Sequence, residues 1–202
     1  VVSSGSGYVF AQNMMYRHTI TVYDTATLKL VKTIPDAIDP AEFRIKGHGS
    51  EDVLGAPVEC AFLPDGRFAY ISQYSMYGPG FVEGHDNGSP GQASDSYVYR
   101  VSLADLAVDK VIKVGEVPKF VAVTPDSKYV LVSNWQSFTL SVIDVHTSKV
   151  VEEVYLGPYP RGIAVSPDSS TAYVAVMGTT DIAVVDLGDF SVSWIRGVGA
   201  GP

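Results

Sequence analysis

The chain has 202 residues, 46% of them apolar, with a formal charge of −8 and an isoelectric point near 4.8. That length fits one domain with a sizeable core, and the acidic balance argues against a nucleic-acid interface, which asks for a basic face. No apolar run approaches the roughly 18 residues of a membrane-spanning helix, and the single cysteine, Cys60, excludes an intrachain disulfide without fixing a compartment.

The chain opens on VVSSGSG, with neither Met nor a signal-peptide pattern, as expected of a processed chain, an excised piece or a fragment. Its two Val residues align with the end of a first strand. YVFAQNMMYRHTITVYDTATLKLVKTI (Tyr8 to Ile34) then reads as three further strands with turns between them. A polar, Gly-containing stretch follows to Ala56. PVECAFLPDGRFAYISQ (Pro57 to Gln73) gives two strands around a Pro-Asp-Gly turn, and SYVYRVSLADLAVDKVIKVG (Ser96 to Gly115) gives two more after a second polar stretch. From Pro118 a complete unit is legible. FVAVT and YVLVS flank the turn PDSK, NWQSF is a loop, TLSVIDV and VVEEVYL flank HTSK, and GPYP closes the unit. PRGIAVSPDSSTAYVAV (Pro160 to Val176) begins the same pattern again.

The repetition is periodic. Pro118, Pro160 and Pro202 recur every 42 residues, as do Gly115, Gly157 and Gly199, and Asp126 and Asp144 recur 42 residues on as Asp168 and Asp186. Four short strands in about 42 residues is the size of a β-propeller blade. The expectation is an all-β propeller segment of four blades. Blade 1 covers 1–35, an inter-blade insertion 36–56, blade 2 57–117 with its own insertion at 74–95, blade 3 118–159 and blade 4 160–202. Asp126 to Asp144 spans 18 positions. Taking Arg100 as the counterpart of Asp24, Asp144 and Asp186, Asp65 to Arg100 spans 35, which makes the blade 2 insertion 17 residues long. The segment before Pro57 also carries 17 extra residues. Four blades are expected to belong to a longer ring of about seven, with two copies pairing into an eight-bladed ring as the alternative. An open array would leave apolar sheet faces at both ends.

VYDTATLKLVKTI, SVIDVHTSKVVEEVYLG and VAVTPDSKYVLVSN resemble the YVTN-type β-propeller repeat over nearly the whole chain except the insertions. The resemblance implies the propeller fold and an extracytoplasmic location: secreted, periplasmic or cell-surface. Proteins of this kind include binding modules and relatives of lactonases and of quinone- or haem-dependent dehydrogenases. AQN in blade 1 and SQY in blade 2 depart from the SN step of the repeat.

In a propeller, the loops between second and third strands and the loops leading to the next blade share one face, so both insertions are expected there, where binding residues gather on a rigid scaffold. Each contains a Gly-His step. His48 and Glu51 on the first, with His85 and Asp86 on the second, are candidate ligands for zinc, while Asp86, Asn87 and Asp95 suit calcium. Ordinary packing of polar loops on each other, or contact with an organic ligand, are the alternatives. Lys119 and Arg161 follow the repeat prolines at matching positions, near the expected channel mouth, where two cations suit an anionic ligand or pair with Glu116 or Asp181. Trp135 and Tyr74 align with each other and, with Tyr77, are candidate platform aromatics or inter-blade packing. Neither a nucleophile motif nor a nucleotide or haem motif is present.

These features favour a non-catalytic binding or scaffold propeller that takes a protein or a small anionic ligand on its insertion face. The alternatives are a lactonase- or hydrolase-type enzyme using a metal or the cationic pair, and a subunit of a redox enzyme. The enzyme is expected to hold a metal or to bring its insertions together around a pocket that solvent reaches.

Overall fold

The computed structural model describes residues 1–15, 17–47 and 51–202. The apolar alternation of the repeat produces four antiparallel sheets of four strands, each in sequential order. The first holds β1 (Val2–Ser3), β2 (Tyr8–Asn13), β3 (Thr19–Asp24) and β4 (Leu30–Pro35). The second holds β5 (Pro57–Phe62), β6 (Phe68–Gln73), β7 (Tyr97–Ser102) and β8 (Ala107–Lys113). The third holds β9 (Pro118–Val123), β10 (Tyr129–Asn134), β11 (Thr139–Asp144) and β12 (Lys149–Tyr155). The fourth holds β13 (Pro160–Val165), β14 (Thr171–Val176), β15 (Asp181–Asp186) and β16 (Val192–Ile195).

Polar side chains close the turns. In the third-to-fourth strand turns, a carboxylate oxygen of Asp24 accepts from the Thr27 N–H and hydroxyl, both at 2.7 Å, and Asp144 repeats the arrangement with Thr147. The last turn residue, Leu28 or Ser148, takes a positive φ of 57° or 55°.

Each sheet has two apolar faces, and three seams bury them against one another. Phe10, Ile20 and Ile34 of blade 1 meet Cys60, Ile71 and Val101 of blade 2. Tyr70 and Val98 of blade 2 meet Val121, Val130 and Ile143 of blade 3. Leu131, Leu140 and Val142 of blade 3 meet Val174, Val176 and Val185 of blade 4. Full burial of such a side chain is worth roughly 1.5–3 kcal/mol. Cys60 lies in the first seam, and burial pushes its thiol well above the usual range, which makes it an inert packing residue.

A serine hydroxyl staples two of the seams. Ser133 Oγ donates to the Arg161 carbonyl of blade 4 at 2.7 Å and accepts from the Phe120 N–H of its own first strand at 3.2 Å. Ser72 Oγ does the same between blades 2 and 3, to the Lys119 carbonyl at 3.4 Å and from Glu59 N–H at 3.3 Å.

The ladder corrects one expected alignment. Tyr129 pairs with Asp144 and Tyr8 with Asp24, but the corresponding Phe68 pairs with Ser102, not Arg100. Ser102 therefore takes the repeat Asp position, and the blade 2 insertion is 19 residues long, with 74–96 standing where blade 3 has 135–138. Arg100 lies two residues earlier on the strand, facing blade 3. Its guanidinium grips Asp109 through two bonds of 2.9 and 2.7 Å, donates to Ser148 of blade 3 and stacks on Phe68. A charge is tolerated there because these partners replace water.

Ser133→Ala is expected to lower stability by about 1–2 kcal/mol, because it removes both bonds of a buried hydroxyl. Ser72→Ala, with longer bonds, should cost less. Urea unfolding of the two variants side by side checks this, and equal midpoints would remove the staple from the account.

Candidate functional site

The two insertions come together on blade 2. The first runs from Asp36 and forms a bridge within itself between Ile38 and Val53, and Leu54 then bridges to Tyr77 of the second. Beneath them, Ile38, Val53, Met76, Tyr97 and Tyr99 form a separate apolar cluster, with Phe43, Ile45 and Phe81 packed against it. The insertions are therefore built on a core of their own.

Between them and the outer edge of blade 2 lies a cleft of about 480 Å³. Phe43, Arg44 and Lys46 of the first insertion and Phe81 of the second line it, together with Tyr97 and Lys113 of β7 and β8. Lys113 pairs with Asp95 at 2.8 Å, both side chains well exposed.

The second insertion also reaches blade 3, where a short loop receives it. Gln136 is 1% exposed. Its Oε1 accepts from the His85 N–H at 2.9 Å and its Nε2 donates to the Ser89 carbonyl at 3.1 Å. A Cβ at Gly88 would lie 2.4 Å from this amide, and one at Gly84 would lie 2.2 Å from Val117, so a side chain at either position would displace Gln136 or Val117. The Gly91 N–H donates to Glu116 at 2.7 Å.

Asp86 ties the loop down through three hydrogen bonds. Its Oδ1 accepts from Lys119 Nζ at 2.6 Å and from the Tyr74 hydroxyl at 2.9 Å, while its carbonyl accepts from Trp135 Nε1 at 2.7 Å. Lys119 Nζ stands 4.1 Å from the Trp135 ring centre and 5.5 Å from that of Tyr74. The Lys119 bond, aided by the Tyr74 hydroxyl and the charges of Lys119 and Arg161, holds the Asp86 carboxyl below its ordinary value. Burial, then the bond and charge of Asp86, push the Tyr74 phenol up.

The candidate residues thus separate into groups. Lys119, Trp135, Tyr74 and Asp86 are brought together, and the chain's own Asp86 fills the place expected for an outside anion. Arg161 remains exposed near them. Asp181 binds Arg196 rather than Arg161. Tyr77 sits apart, edge-on to His18 with ring centres 5.5 Å apart. Its phenol is pushed up to about 12 by burial and by Glu83. His85 contributes its backbone to Gln136, and Glu51 is exposed on the other insertion. His48 lies outside the described residues. Among the described residues, no three His, Cys, Asp or Glu side chains group as metal ligands. Sequence reasoning missed Gln136 and the cleft residues Phe43, Lys46 and Lys113. The glycines at 84 and 88 were the available signal that something presses on that loop.

The chain resembles solved β-propeller proteins. Hydrazine synthase of Kuenenia stuttgartiensis superposes with a TM-score of 0.67 at 22% identity, over 95% of this chain and 46% of that one. The dihydro-heme d1 dehydrogenase NirN, in complex with DHE, gives 0.59 at 17%, over 93% and 34%. The fold is a β-propeller. This chain spans less than half the length of either neighbour. No protein-family model and no curated protein matches it.

Asp86→Ala is expected to speed amide exchange across residues 84–92 about tenfold or more, since it removes a charge-assisted bond and its tyrosine partner. Protection in β9 and β10 should stay unchanged. Hydrogen-exchange mass spectrometry reads both regions, and an unchanged loop would mean that Gln136 alone holds it.

Proposed function

We propose that the chain is a non-catalytic binding propeller that engages its partner through the insertion face. The observation that carries this is the cleft between the insertions. Its floor is aromatic, from Phe43, Phe81 and Tyr97, and its rim carries Arg44, Lys46 and Lys113 against one acid, Asp95. Such a lining suits an anionic group on an apolar body, presented by a protein or as a small ligand. The residues that line it pack on a core of their own, which lowers the ordering entropy that opposes binding.

The pairing of Lys119 with Asp86 weighs against a hydrolase built on the cationic pair. The repeat resemblance supports a YVTN-type propeller and an extracytoplasmic setting. Uncovered apolar surface supports a larger ring. Tyr173, Ala175, Ile182 and Val184 of blade 4 are partly or largely exposed, whereas their blade 3 counterparts Leu131, Ser133, Leu140 and Val142 are wholly buried. Further blades of the same protein are the proposed cover for that face.

Two experiments test this. Cross-linking with partners from the native source should place links on residues 36–47, 74–95 and 135–138. Links confined to the opposite turns, 64–67 and 125–128, would overturn the proposed face. Sedimentation of the 202-residue chain should give a monomer of 21.6 kDa. A stable dimer that Ile182→Lys abolishes would assign the uncovered face to a second copy instead.

A further inference from the structure

The seam between blades 1 and 2 differs from the other two at its insertion-side end. There the repeat acts as an internal control. Asp36 follows Pro35, which pairs with Thr19, and the same place after β8 and β12 holds Val114 and Leu156. Both of these are buried and apolar, and Asp36 is itself 0% exposed. Gln12 stands where Ser72 and Ser133 make their staples. Gln73 stands where Asn13 and Asn134 bond to threonine and serine hydroxyls of the neighbouring strand.

Strand alternation directs these side chains into one seam. Gln12 is two residues beyond Phe10, Gln73 two beyond Ile71 and Asp36 two beyond Ile34, and all three apolar residues belong to the same core cluster. Both oxygens of Asp36 and both amide atoms of Gln12 and of Gln73 are buried without a hydrogen-bond partner among the described residues.

The surroundings do not supply the missing partners. His18 Nδ1 lies 2.6 Å from the Gly55 carbonyl, which requires the proton on that nitrogen, and stands 3.8 Å from Asp36 Oδ2, beyond hydrogen-bond reach. The Tyr99 hydroxyl donates to the Asp36 backbone carbonyl at 3.1 Å, not to its carboxylate. Gln73 Oε1 lies so close to Gly55 that a Cβ there would come within 2.3 Å of it. Burial pushes the Asp36 carboxyl up to about 7. Six unpartnered polar atoms in one buried seam are costly, and a buried polar set of this kind ordinarily serves a ligand, ion or water.

We propose that the seam between blades 1 and 2 holds a hard cation of the calcium class, bound by the Asp36 carboxylate and the side-chain oxygens of Gln12 and Gln73. Oxygen-only donors with one carboxylate suit calcium and its flexible coordination, with water completing the shell. The cation clamps the first insertion, which begins at Asp36, to both blades.

The test is thermal unfolding of the purified chain, stripped with chelator, as calcium chloride is added. The wild-type midpoint is expected to rise by about 5 °C. Asp36→Asn should abolish that rise. Gln12→Ser, which installs the residue of blades 2 and 3, should fold and require at least tenfold more calcium. The proposal is overturned if wild type shows no rise, if Asp36→Asn keeps it, or if magnesium at equal concentration gives the same rise. If Asp36→Asn does not fold, a Gln12→Ser midpoint equal to wild type overturns it.

Discussion

The structure depends on the seam. A four-stranded sheet with apolar side chains on both faces cannot be stable in water alone, and each blade here is stable only because a neighbour dries its face. Apolar contact is itself non-directional. The serine staples add a directional contact at two of the three seams. Ser72 and Ser133 each bond a first strand behind and a first strand ahead, which fixes the height of one blade against the next. Arg100 adds a charged latch at the outer edge of the seam between blades 2 and 3.

With blades fixed in this way, the insertion end becomes a surface on which loops can be held. The second insertion uses it fully. It leaves blade 2, sets Asp86 against Lys119 and Trp135, wraps Gln136 and returns. Lys119 enters from the first strand of blade 3 beside the staple carbonyl, so the same residue joins the seam through its backbone and the loop through its ammonium. Loop and seam are thus mechanically coupled.

Much of this was legible in the sequence, because period is a property of the chain. The 42-residue spacing places strands, turns and seams, and the two long gaps place the insertions. What failed was register at Arg100. A charged residue at 100 resembles a repeat Asp in the sequence, but the ladder matches backbone positions, and Ser102 with Asp105 behind it makes the turn. The Asp86 cluster was half legible: Tyr74, Trp135, Lys119 and Asp86 were each singled out, but Asp86 as a metal ligand, because it lies 33 residues from Lys119 in a segment without a repeat to align it. The cleft was invisible, since its lining comes from two insertions whose mutual placement is set by the Leu54–Tyr77 bridge.

The polar seam shows where a repeat is most informative. AQN and SQY stand out as departures from the repeat, and both prove to face the same seam from opposite sides. Asp36 did not stand out, because it reads as the first residue of a polar insertion rather than as a core position. Only the pairing of Pro35 with Thr19 places it level with Val114 and Leu156. An acid at a position that the repeat otherwise fills with Val and Leu costs several kcal/mol if left bare. Two amides added beside it, without partners of their own, raise that cost instead of lowering it. Three unpartnered polar side chains facing one junction are accounted for by a shared ligand that makes all three favourable together. The junction concerned is the one that the first insertion must cross, which is where an added clamp has the most to hold.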